Sequence, residues 1–96
     1  MNATIRISNR FDHMSEAPAL RAAHYLAVAG IAGNVTSGFS SVDRQVETSL
    51  AVSLFDVSPA QVIIIFRWLR DTFSLTCAWL DCDAYHGCIK EWGHWK

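Results

Sequence analysis

Val57 to Phe73 reads VSPAQVIIIFRWLRDTF, and this stretch decides the fold because it joins a marked helix start to more apolar surface than one buried stripe requires. Ser58 is a capping residue, and Pro59 suits the first helical position. Gln61 stands three residues after Ser58, where its amide reaches back to the N–H of the cap. Val57 and Val62 supply the apolar pair that staples such a start. At helical spacing Val62, Phe66, Leu69 and Phe73 share one face, with Ile65 at its edge, which is sufficient for a core. Ile64 and Trp68 then form a second stripe, flanked by Arg67 and Asp71.

Working outward, Arg44 to Phe55 alternates, with Val46, Thr48, Leu50, Val52 and Leu54 on one face and smaller or polar residues on the other, as a half-buried strand requires. Ser40 to Asp43 is turn-like and Asn34 to Phe39 is short and β-prone, so the region reads as a hairpin with a weak first strand. Upstream, a helix is predicted from a cap at Ser15, with Pro18 in its first turn, to about Ala29, and Gly30 and Gly33 end it. Leu20, Ala23, Ala27 and Ile31 are its expected inner face. Asn2 to Asn9 alternates Ala3, Ile5 and Ile7 against Thr4, Arg6 and Ser8, a first strand. Downstream, Ser74 to Leu80 is a further strand, Asp81 to Gly87 carries turn formers, and Cys88 to Trp92 extends the sheet or forms a tail.

The order is β-α-β-β-α-β with a C-terminal extension. Its economical packing is an α+β domain over residues 1–96, with an antiparallel sheet and both helices on one face, the ferredoxin-like arrangement. If Asn34 to Phe39 is a loop, the alternative is a three-stranded β-α-β-α-β variant. A chain of 96 residues, 51% hydrophobic and 18% charged, is that of a packed globule, and no interdomain linker interrupts it. The longest apolar run, Val62 to Phe66, is far short of a bilayer span, and three cysteines make no full disulfide framework. The expected location is the cytoplasm.

The densest reactive side chains are C-terminal. Cys82, His86, Cys88 and His94 are ligand types that zinc accepts, although Cys-x3-His-x-Cys-x5-His is not a finger spacing. Alternatively the cysteines are small core hydrophobes. A net charge of -1 and the lack of aromatics between Ala3 and Ser8 speak against nucleic-acid binding, which needs cations for phosphate and rings for bases. No glycine-rich phosphate loop is present, and no third group orients a cysteine–histidine pair for nucleophilic chemistry.

What remains is surplus aromatic surface: Ile64, Arg67, Trp68 and Asp71 on the second helix, and Trp92 and Trp95 near the C-terminus. Tryptophan and arginine dominate interface hot spots, so these six form the expected partner surface. In the opposing reading the C-terminal tryptophans fold back and cover Ile64 and Trp68. The sequence thus points to a non-enzymatic protein-binding module without a cofactor, a small inhibitor or adaptor that blocks a larger protein or complex. Phage-type anti-defence proteins and immunity proteins share this size and composition. Self-association as a homodimer, through an edge strand or through the sheet's open face, is a further expectation. The alternatives are a small zinc- or ligand-binding domain built on Cys82, His86, Cys88 and His94, and a nucleic-acid-binding ferredoxin-like module.

Overall fold

The computed structural model describes residues 1–9, 17–42, 45–74 and 78–92, of which 8–9, 17, 39–42 and 45–48 are described by their backbone alone. The elements are β1 (Ala3–Asn9), α1 (Ala17–Ala29), β2 (Gly33–Val42), β3 (Gln45–Leu54), α2 (Pro59–Phe73), β4 (Trp79–Cys82), β5 (Tyr85–Cys88) and a 3-10 turn, Ile89–Glu91. The strands form one antiparallel sheet in the order β2-β3-β1-β4-β5.

The α+β class with two helices and an antiparallel sheet is therefore observed, but the sheet has five strands where the expected arrangement has four. The difference arises at Asp81 to Gly87. Those turn formers act only at Asp83 and Ala84, so Asp81 and Cys82 complete β4 while Tyr85 opens β5. The strand expected from Ser74 begins later, at Trp79. Ser74 instead ends α2 in a left-handed conformation, with its N–H donating to Arg70 O, and residues 75–77 lie outside the described part. The three-stranded alternative does not hold: β2 is a full strand, in unbroken register with β3 from Gly33↔Leu54 to Val42↔Gln45. It was weak in the sequence because its small polar residues have no apolar periodicity.

Alternation in β1 and β3 sorts the sheet as expected wherever side chains are described. Ala3, Ile5, Ile7, Leu50, Val52, Leu54, Leu80 and Cys82 face one core that also takes Ala22 and Leu26 from α1 and Val62, Ile65, Phe66 and Leu69 from α2. Burying a side chain the size of Phe66 contributes about 2–3 kcal/mol. The start of α2 is as predicted: Gln61 N–H donates to Ser58 Oγ at 3.2 Å, and Ser58 N–H donates to Gln61 Oε1 at 2.8 Å.

The face of α1 is a correction. Ala22 and Leu26 are its buried residues, with Ala19 and Tyr25 packed beside them, whereas Leu20, Ala23 and Ala27 are exposed. This helix is apolar almost all round, so two stripes compete on pattern alone. The close approach of α1 to β2 decides between them: a Cβ on Gly33 would lie 2.8 Å from Ser53 O and 2.9 Å from Leu26 Cδ1.

Candidate functional site

Both helices cover the same side of the sheet, and among the described residues nothing covers its other face. Strand registers arrange that face in rows. One row runs Asn34, Ser53, Thr4, Asp81, His86, and the next runs Thr36, Ala51, Arg6, Trp79, Cys88. Asp81 links them. Its Oδ2 lies 2.9 Å from Arg6 Nε, and its Oδ1 accepts from Trp79 Nε1 at 3.0 Å and lies 2.9 Å from His86 Nδ1. An ionised carboxylate only accepts, so this geometry places a hydrogen on His86 Nδ1. The hydrogen bond from His86 is the largest cause holding the Asp81 carboxyl below its ordinary value of 3.8. Trp79 and the charge of Arg6 add to it, and partial desolvation opposes it.

The indole of Trp79 is thus held in place although its residue remains 50% exposed. Beside it a groove of about 440 Å³ is floored by Thr36, Gly38, Ser49 and Ala51 and bounded by Arg6. A second hollow of about 450 Å³ opens nearer the loops, between Asn2, Thr4, Ser53, Phe55, Asp83 and His86. Small residues under an oriented aromatic make a surface that receives a side chain from outside, with little ordering left to occur on contact. Trp79 is the functional candidate that the sequence reading missed. The available signal was its place two residues before Asp81, on the strand face opposite Leu80 and Cys82.

The expected partner residues are spread over the helical side. Ile64 is 54% exposed on α2, and Arg67 and Asp71 are also exposed. Trp68 is half-buried: Tyr25 of α1 stacks on it with ring centroids 4.2 Å apart, and Phe73 meets it edge-on at 5.9 Å. The cover on Trp68 therefore includes the first helix, which neither sequence reading foresaw. Trp92 packs against the main core, and Trp95 lies outside the described residues.

The four zinc candidates are not brought together where they are described. Cys82 is buried on the core face, His86 is on the open face beside Asp81, Cys88 is disulfide-bonded, and His94 lies outside the described residues. Among the described residues no group of His, Cys, Asp and Glu converges as metal ligands would. A disulfide at Cys88 is not what a reducing compartment favours, so cysteine chemistry lends the cytoplasmic expectation no support. Among the described residues no helix is long and apolar enough to cross a membrane. Compared with family models, curated proteins and solved structures, the chain matches none.

Proposed function

We propose that this chain is a non-enzymatic protein-binding module, acting as a small inhibitor or adaptor on a larger protein, and that its open sheet face is the main contact surface. The observation that carries this reading is Trp79: half-exposed, fixed by its indole N–H on Asp81, and bordering a groove floored by small residues. A tryptophan oriented before contact loses little freedom on binding and brings a large apolar area to a hot spot. The Ile64, Arg67 and Asp71 surface of α2 supplies a secondary patch on the opposite side. The scaffold is taken as a ferredoxin-like arrangement with one strand added outside β4, a reading supported by the β-α-β-β-α-β order of the first six elements.

A protein partner suits this face better than a nucleic acid does. Among its described residues Arg6 is the basic side chain at the groove, and it is already paired with Asp81. Asp83 nearby and a net charge of -1 add to the cost of bringing a phosphate backbone close.

Capture from a cell extract with immobilised protein tests the reading. Wild type should retain one dominant larger protein, Trp79→Ala should lower its recovery about tenfold, and Ile64→Ser should lower it less. Equal recovery by wild type and Trp79→Ala, or repeated recovery of nothing, counts against it.

A further inference from the structure

The flank of the molecule formed by β2 and α1 has a different character from the open face. β2 is an edge strand of ten residues, GNVTSGFSSV, and among the described residues nothing pairs with its outer side. Half of its backbone N–H and C=O groups therefore point away from β3. Natural edges of this length are blunted by charge, proline or a bulge. This one contains no charged residue and no proline, and its register with β3 has no bulge. The opposite edge, β5, is only four residues long.

α1 lies over β2 and, to a lesser degree, β3. Tyr25 points towards α2, where it stacks on Trp68, so the far side of α1 looks out over the free edge. That side carries Ala23 and Ala27, which line a shallow apolar groove of about 360 Å³ with Ile31 and Val35. Leu20, 66% exposed, continues the strip along the helix. Arg21 falls on the far side of the helix from Ala23.

We propose that this flank is a homodimer interface in which β2 pairs antiparallel with β2 of a second copy about a two-fold axis, bringing the two α1 helices together over the joined sheets. A strand edge is complementary to itself under such an axis, and an uncharged edge meets its copy without like-charge repulsion. A foreign extended segment would satisfy β2 but leave Leu20, Ala23 and Ala27 in water. A second copy brings a helix as well, and the alanines permit its close approach.

The size is adequate. Ten residues of strand span about 33 Å, and one sheet layer with one helix layer is about 20 Å deep. Since α1 has 13 residues and is about 20 Å long, each copy offers roughly 530 Å² of flank, and the two together clear the ~1,000 Å² total that a specific interface needs. Because the contact is two-fold and consumes the long edge, association closes at two copies.

Sedimentation equilibrium on the intact chain tests this directly. Wild type should behave as a dimer of 10.7 kDa protomers, and Ala27→Glu should raise the dissociation constant at least about tenfold with an unchanged far-ultraviolet circular dichroism spectrum. Leu20→Lys, at an exposed position, repeats the test if Ala27→Glu does not fold. Trp79→Ala should remain as dimeric as wild type, which separates this interface from the open face. A wild-type monomer up to roughly 100 μM overturns the proposal. So does a dimer that Ala27→Glu and Leu20→Lys leave intact, or one that Trp79→Ala dissociates.

Discussion

Asp81 ties three side chains from three strands to one carboxylate, and the sign of its titration follows. Its folded value is held below the ordinary 3.8, chiefly by the hydrogen bond from His86, so the network stabilises the fold at every pH above that value. The contribution is lost as pH falls through the lower folded value. Melting temperatures followed from about pH 5 to pH 2 should fall more steeply for wild type than for Asp81→Asn, and parallel curves would show that the network contributes nothing to the fold. Trp68 makes a second prediction. Replacing this stacked, half-buried ring by alanine should cost about 2–3 kcal/mol in urea unfolding, whereas exposed Ile64→Ser should stay within about 0.5 kcal/mol. The sequence treated these two as one stripe because they are four residues apart on a helix. The rings of Tyr25 and Phe73 against Trp68 separate them. The same limit applies to Cys82 and His86: closeness along the chain suggested a cluster, but strand alternation turns one to the core and the other to the opposite face.

Elements differed in legibility according to whether their signal is local. The start of α2 was readable residue by residue, since a capping box is made within four positions and needs no partner from elsewhere. β1 and β3 were readable because one face of each is buried and the other is not. α1 was readable as a helix but not in its rotation. Its inner face is chosen by contacts with β2 and α2, and an alanine-rich helix offers little in its own pattern to choose by. Gly33 is where that choice is fixed. Gly33→Ala places a methyl group against Ser53 O and Leu26 Cδ1, and it should destabilise the protein by about 1–3 kcal/mol, measured by chemical denaturation. Full stability in that variant would mean that α1 does not sit as closely on β2 as described. The split of the C-terminal region into β4 and β5 was hidden because its strands are four residues each, too short to show a period.

At the scale of the molecule the two proposed surfaces do not compete. The open face carries the oriented Trp79, and the α1–β2 flank carries the unpaired edge, so a dimer joined at that edge would leave both open faces available. Such a dimer presents two copies of the Trp79 groove, and a partner that is itself symmetric would then be held at two points. The sheet order has a further consequence. β1, the earliest strand in the chain, lies in the middle of the sheet between β3 and β4, neither of which is near it in sequence. Its apolar residues Ile5 and Ile7 are fully enclosed only when those later strands arrive. Long loops must therefore close before the central contacts form, which slows folding relative to a protein built from neighbouring contacts. During synthesis β1 waits, unpaired on both sides, until β3 is made, and it keeps one open side until β4 follows. The native state is thus acquired late and as a unit, and the unfinished chain is the form most exposed to aggregation.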